Sequence, residues 1–352
     1  MIVDCEGSSI ECGLCHGEEA RELIRYAIKQ WEEEILSKKG NNRSAFKNYI
    51  SDFLNNTSLI DSMKYQTPDL IEEMKGIAKG SGISFEKIAA YNLMDEQWWY
   101  DLSIRNTEPG CSLIGIKKGK NTILGQNMDL PAFMDGSQII LRISSLHKPR
   151  KILLTSAGLI GLTGVNDQGI AVCVNTLLML RSNSKGLPVA AVLRYLLEEK
   201  NLENVKNKLI NINHASGQHY AFANKNEISG YESSAYGSIE SSIDGRQILL
   251  HTNHPLVSRD INSRAKKIIK ENGRIKNSEE RLCFLRNQIN KKMTEKDIIE
   301  LLSDISTPLC AKPSQKHRSQ TFGSILFKLS ESVKIFYCLG MPGKAQWKSL
   351  TF

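Results

Sequence analysis

Thr107-Glu108-Pro109-Gly110-Cys111-Ser112-Leu113-Ile114-Gly115-Ile116 leads through the polar turn Lys117–Asn121 into Thr122-Ile123-Leu124-Gly125-Gln126-Asn127-Met128-Asp129-Leu130-Pro131. Two short apolar runs around a Gly-containing polar turn predict a β-hairpin. Cys111 opens the first strand, and Gly110 leaves the bond before it free of any side chain. Asp129 closes the second strand. Pairing of the two strands therefore returns Asp129 towards Cys111.

This arrangement suits a nucleophile that the chain makes for itself. The Cys111 thiol would attack the Gly110 carbonyl to give a thioester, which water would cleave. The α-amine of Cys111 would then be free beside its own thiol. An α-amine titrates at about 7.7–8.0 and a free thiol at about 8.5. The amine can thus take the thiol proton near neutrality, and the thiolate is the attacking species. Spacing alone does not require this reading, because a cysteine at a strand start is commonly a small buried hydrophobe.

Outward from the hairpin, the 352 residues suffice for one large or two ordinary domains with a full core. No apolar run approaches the roughly 20 residues of a membrane span. The first residues, Met1-Ile2-Val3-Asp4-Cys5-Glu6, carry acids and no apolar core of a secretory signal, so a cytoplasmic protein with no membrane partner is expected. Eight cysteines in a chain of this length do not read as a disulfide framework. Residues 1–110 hold 12 Lys and Arg against 19 Asp and Glu, a net −7. The remainder holds 34 against 19, a net +15. Opposite signs on either side of the Gly110–Cys111 bond favour two products that stay together, although single exposed pairs are weak. The basic portion also fits an anionic substrate, with a scattered basic surface as the plainer reading. No aromatic-basic interleaving suggests a nucleic-acid partner.

Cys12-Gly13-Leu14-Cys15-His16 matches the C-x-x-C-H pattern of covalent haem attachment, with Cys5 nearby. Such attachment accompanies export, and a structural zinc needs four ligands that no second Cys/His pair completes. We therefore expect neither metal nor bound cofactor. Helical spacing is expected from about Glu18 to Ser37, over Thr67 to Gly80 and over Val189 to Glu199. Residues 38–60 read as a loop with a short helix, and 259–304 as an outer helical layer. Trp98, Trp99 and Tyr100 read as core packing, with an acyl-pocket wall as the alternative. Strands are expected at Gln138–Ile143, Lys151–Thr155, on either side of the turn Asn166-Asp167-Gln168-Gly169, at Gln218–Ala223, Ile228–Ser233 and the run Arg246–His254. A last hairpin pairs Thr321–Phe327 with Val333–Tyr337. Hairpins between helical stretches make a layered α+β domain.

Several of these segments resemble the penicillin acyltransferase-like family, cysteine-type N-terminal nucleophile hydrolases related to acyl-coenzyme A:6-aminopenicillanic acid acyltransferase (peptidase family C45). The resemblance rests on Gly110-Cys111-Ser112, Gly125-Gln126-Asn127-Met128-Asp129, the run Gly164-Val165-Asn166-Asp167-Gln168-Gly169-Ile170, and His251-Thr252-Asn253-His254. The Gly-x-x-His-Gly step ending at Gly17 is also similar. It implies a four-layer αββα sandwich, cleavage between Gly110 and Cys111, and two products, 1–110 and 111–352, forming one domain. It further implies Cys111 as nucleophile, Asp129 as the residue that orients the α-amine or assists cleavage, and Asn253 as oxyanion donor. Asn175 is carried over as a substrate-site residue, with a strand-end Asn bonding its own turn as the plain alternative. His251 and His254 read as orienting or structural. Family members often carry an arginine in or near the last hairpin. Residues 328–334 hold none, so that role is left unassigned.

The resulting expectation is a self-cleaving amidohydrolase or acyltransferase that works through a Cys111 acyl-enzyme. Its partners would be a small-molecule acyl donor, acyl-coenzyme A among them as substrate, and a water or amine acceptor. A non-catalytic relative that remains one chain and binds a small acyl ligand is the competing class.

Overall fold

The computed structural model describes residues 1–39, 43–101, 110–241, 243–245, 247–313 and 319–352. Thr107–Pro109, Arg246 and part of the loop before the last hairpin lie outside them. In chain order the elements begin β1 (Ile2–Glu6), α1 (Ser9–Glu19), α2 (Arg21–Lys39), α3 (Arg43–Asn55), α4 (Leu59–Gln66), α5 (Pro68–Ser81), α6 (Phe85–Asn92) and α7 (Met94–Tyr100). The hairpin follows as β2 (Ser112–Lys118) and β3 (Asn121–Pro131). Then come β4 (Gln138–Ser144), β5 (Lys151–Ser156), β6 (Thr163–Asn166), β7 (Ala171–Thr176), α8 (Val189–Leu196), α9 (Leu202–Asn211), β8 (Gln218–Ala223), β9 (Ile228–Ser234), β10 (Gly237–Ser241) and β11 (Ile248–His251). The chain closes with α10 (Ser263–Glu271), α11 (Arg274–Gln288), α12 (Glu295–Ser303), β12 (Ser319–Leu329), β13 (Val333–Leu339) and β14 (Trp347–Leu350).

Among the described residues the strands form two sheets. One has eight strands in the order β1-β4-β5-β6-β7-β8-β9-β10, the other six in the order β11-β2-β3-β12-β13-β14. The hairpin register pairs Ser112 with Asn127 and Lys118 with Asn121, as the apolar pattern predicts. The six-stranded sheet is covered on both faces, and period-2 alternation sorts its side chains between two cores. Leu113, Leu124, Ile325 and Phe327 join the core between the sheets. Ile114, Ile116, Ile123 and Leu326 pack outward with Leu285, Ile298 and Leu302 of α11 and α12. Helices α1, α8 and α9 contact the other sheet through β1, β7 and β10. The result is helix, sheet, sheet, helix: the αββα layering that the sequence resemblance implies.

The first helical stretch differs from its sequence reading. A break at Ala20 separates α1 from α2, and α1 begins at Ser9. The C-x-x-C-H pattern lies on α1 and serves helix packing. Gly13 and Gly17 face Gly76 and Gly80 of α5, and a Cβ at Gly13 would stand 2.0 Å from the Glu73 carbonyl oxygen. Only glycine permits that approach. His16 is buried, and its Nε2 accepts a hydrogen bond from the Gly158 amide at 3.1 Å. Burial, reinforced by Arg194, pushes its pKa down to about 3, so the ring is neutral. Residues 43–55 are a full helix, and α8 stops at Leu196. The edge strands β1, β10 and β14 have no clear signal in the sequence, being short or polar. Trp98 belongs to the main core, and Trp99 Nε1 donates to the Leu180 carbonyl, in keeping with a packing role. No helix among the described residues is long and apolar enough to cross a membrane.

Candidate active site

The hairpin does bring Asp129 back to Cys111. Cys111 is 5% exposed, and its Sγ lies 3.9 Å from the Asp129 carbonyl oxygen. The Asp129 carboxylate approaches Gly110 from the side. A Cβ built on Gly110 would meet Asp129 Oδ2 at 3.1 Å and the Arg281 guanidinium at 3.3 Å. A side chain before Cys111 would therefore press on both groups. Asp129 also accepts from Thr321 Oγ1 of β12 at 2.7 Å. The β3–β12 register shifts between Thr321 and Gly323, a bulge immediately beside the carboxylate.

Asn175 comes from the opposite sheet. It is fully buried in β7, and its Nδ2 donates to the Cys111 carbonyl oxygen at 3.2 Å. It therefore reaches across the sandwich to Cys111 rather than closing its own turn. Among the described residues its Oδ1 has no hydrogen-bond partner. Asn253 follows β11. Its Nδ2 donates to the Thr176 carbonyl at 3.1 Å, and its Oδ1 accepts from Arg281 at 3.0 Å. Arginine is donor-only and a carbonyl acceptor-only, so these two partners fix which way the amide faces. One of its two amide hydrogens is used on Thr176, which leaves a second for another acceptor.

Arg281 is the residue the sequence reading missed. It lies on α11, is 2% exposed, and bonds Cys111, Ser112 and Asn253. One terminal nitrogen donates to the Cys111 carbonyl at 2.7 Å and to Ser112 Oγ at 3.1 Å. The other donates to Asn253 Oδ1, and Nε donates to Asn277 Oδ1 at 3.0 Å. The helix was readable as an outer layer, and its buried stripe is Ser278, Arg281, Leu282 and Leu285. A charged residue within an apolar i, i+3, i+4 stripe was the available signal. It places an arginine at the site from α11 where the last hairpin has none.

Burial dominates the electrostatics. It pushes the Cys111 thiol up to about 12, with the Asp129 carboxylate adding to the effect. It also pushes Asp129 up to about 7, against the opposing pull of Arg281 and the Thr321 bond. In the intact chain the thiol is therefore protonated at neutral pH, while Asp129 sits where it can give or take a proton. Asp95 of α7 stands at the edge of this group and bonds Thr176 Oγ1 at 3.1 Å and Gln218 Nε2 at 3.2 Å. Burial raises Asp95 to about 6 and the adjacent Glu96 to about 7. Among the described residues no group of three His, Cys, Asp or Glu side chains is arranged to hold a metal ion.

The acyl-coenzyme A:6-aminopenicillanic acid acyl-transferase from Emericella nidulans, 40 kDa form, is 27% identical over 259 residues, covering 73% of this chain and 70% of that one. Among solved structures, a mutant of the conjugated bile acid hydrolase from Clostridium perfringens aligns with a TM-score of 0.47 and 13% identity. That alignment covers 69% of this chain and 92% of the hydrolase. Penicillin V acylase from Agrobacterium tumefaciens aligns with a TM-score of 0.43 and 13% identity, over 69% of this chain and 86% of the acylase. The profile of the family described as acyl-coenzyme A:6-aminopenicillanic acid acyl-transferase matches residues 116–344, a span holding Asp129, Asn175, Asn253 and Arg281 and starting just after Cys111. The chain belongs to that acyltransferase family.

Proposed function

We propose that this protein is a self-processing cysteine N-terminal nucleophile enzyme that cleaves or transfers an acyl group through a Cys111 thioester. The observation that carries the reading is the convergence of Asp129, Asn175 and Arg281 on the Gly110–Cys111 junction, from three different layers of the fold. In the first step Cys111 Sγ attacks the Gly110 carbonyl carbon, and the peptide C–N bond breaks. The thiol proton ends on the departing α-nitrogen. Asp129 is placed to relay that proton, having a carboxyl beside Gly110 that titrates near neutrality. Water then cleaves the thioester, giving a carboxylate at Gly110 and regenerating the Cys111 thiol beside its freed α-amine.

In turnover the new α-amine takes the thiol proton, and the thiolate attacks an amide or thioester carbonyl. The amine returns the proton to the leaving group. The unused N–H of Asn253 and the Arg281 charge would stabilise the oxyanion. Transfer of the acyl group to water makes a hydrolase, and transfer to an amine makes a transferase. The Emericella nidulans relative is named for transfer from acyl-coenzyme A to 6-aminopenicillanic acid. That name and the +15 charge of residues 111–352 support an anionic acyl thioester as one donor. The penicillin nucleus is not carried over, because kinship does not fix a substrate. No resident cofactor enters any step.

Residues 1–110 would remain bound after cleavage, and several buried links support this. Glu73 pairs with Arg194, Glu96 Oε1 accepts from the Val189 amide at 3.0 Å and Ser216 Oγ at 2.7 Å, and Asn92 bonds Gly158 and Ile160. Mass spectrometry of the freshly purified protein tests the reading. Wild type should give two species, 1–110 and 111–352, that co-elute until denatured. Cys111→Ala should give one full-length species with no turnover. Turnover retained by Cys111→Ala would end the assignment, and product formation with and without an added amine separates transferase from hydrolase.

A further inference from the structure

Glu232 has no place in the chemistry above, yet it is fully buried and takes four hydrogen bonds. It lies on β9 of the eight-stranded sheet and faces the segment that follows β11 of the six-stranded one. Three successive amides of that segment donate to it: Leu256 to Oε1 at 2.6 Å, Val257 to Oε2 at 3.1 Å and Ser258 to Oε2 at 2.7 Å. The fourth partner is His251 Nε2, at 2.8 Å from Oε1. The other ring nitrogen of His251 lies 2.8 Å from the Thr252 carbonyl oxygen. A carbonyl accepts only, and Glu232 already accepts from three amides, so each ring nitrogen of His251 faces an acceptor. His219 stacks flat on His251, with ring centroids 3.7 Å apart, and its Nε2 pairs with Ser241 Oγ at 3.0 Å. Gly230 makes room for this stack, since a Cβ there would stand 2.7 Å from His219 Nε2.

Asn253 lies between these two attachments. On its N-terminal side His251 fixes the Thr252 carbonyl, and on its C-terminal side Glu232 gathers residues 256–258. We propose that Glu232 is a positioning residue that, with His251, clamps the backbone on both sides of Asn253 and so aims its amide at the reacting carbonyl. Ser278 of α11 completes the frame by accepting the Asn253 amide N–H at 2.8 Å. The clamp spans the two sheets, so it ties the aim of Asn253 to the packing of the sandwich. A buried carboxylate saturated by backbone donors suits this task because its geometry is over-determined.

The inference rests on the oxyanion role given to Asn253, and the test separates the two. Processed wild type, Glu232→Gln, Asn253→Ala and the double variant are assayed with p-nitrophenyl acetate as the probe, and melting temperatures are recorded for each. Glu232→Gln keeps the size of the side chain but turns an NH2 group towards donors. It should lower kcat about tenfold or more with KM within about twofold, because supporting partners of site residues are commonly worth 10–100-fold. In the Asn253→Ala background the same change should cost less than about twofold, since coupled residues are not additive. An equal cost in both backgrounds, or a change confined to KM, overturns the inference and leaves the Asn253 reading standing. An Asn253→Ala protein with unchanged kcat removes the Asn253 reading, and the clamp's purpose with it. If Glu232→Gln does not fold, Glu232→Asp carries the same comparison, since it retains the charge on a shorter arm.

Discussion

Among the described residues two arginines are buried, and they are held in opposite ways. Arg194, on α8, meets the Glu73 carboxylate with both terminal nitrogens, each at 2.7 Å, and adds a bond to the Ile160 carbonyl. Burial opposes its charge, but Glu73 more than offsets this, so its pKa is raised. Arg281 donates only to neutral acceptors: the Cys111 carbonyl, Ser112 Oγ, Asn253 Oδ1 and Asn277 Oδ1. Burial lowers its pKa, with Asp129 and Cys111 pulling only partly the other way. The difference separates a structural charge from a poised one. Arg194 is neutralised on the spot and staples α5 to α8. Arg281 has only neutral acceptors bonded to it, so in the proposed reaction its field would act on charge that develops beside it.

The largest expected effect comes from breaking the neutralised pair. Glu73→Ala leaves Arg194 buried without its counter-ion, and such a loss costs about 3–5 kcal/mol. Denaturant unfolding should show it, and the activity per folded molecule should hold. The pair links residues 1–110 to residues 111–352, so the variant should also shed the upstream segment more readily after cleavage. A Glu73→Ala protein as stable as wild type would remove the distinction between the two arginines.

Arg281→Met sharpens the same comparison from the other side. Loss of one preorganised donor to a developing oxyanion costs about 10²–10³ in kcat. Stability should change much less than in Glu73→Ala, because no buried carboxylate bonded to Arg281 is left unpaired. Steady-state kinetics beside melting curves reads both quantities. Full activity with a large drop in stability would place Arg281 with Arg194 as a structural residue.

The hairpin could be read because apolar runs and a turn are local signals, and its register places Cys111 and Asp129 where the pattern predicts. Asn253 and Asn175 came through resemblance, and the structure puts both within one or two bonds of Cys111. Their contacts were not readable, because they cross from one sheet to the other and no spacing records that. Arg281 follows Cys111 by 170 positions. It enters from a helix that reads as an outer, basic layer, and only its position among Ser278, Leu282 and Leu285 marks it as buried. The C-x-x-C-H pattern shows the converse error. Its residues are spaced for chemistry, but the glycines beside them are spaced for helix contact, and packing decides their role.

Asp129 is the carboxylate that Arg281 approaches without bonding, and its titration gives the subtlest test. Burial raises it from 3.8 to about 7, so it is largely protonated at pH 6 and largely ionised at pH 8. If it relays the thiol proton during self-cleavage, it must begin as the carboxylate. The rate of conversion of full-length chain to 1–110 and 111–352 should therefore rise through about pH 7, falling roughly tenfold per unit below it. Asp129→Asn should flatten that profile and slow cleavage. Stability has the opposite sign. A group whose folded-state pKa is raised favours folding below its unfolded value, and loses that contribution as pH rises through about 7. Asp129→Asn should thus lose less stability than wild type between pH 5 and pH 8. A cleavage rate that is flat across this range in wild type would mean that Asp129 only shapes the junction. Arg281 would then meet its developing charge with no titrating partner, and the contrast with Arg194 would be complete.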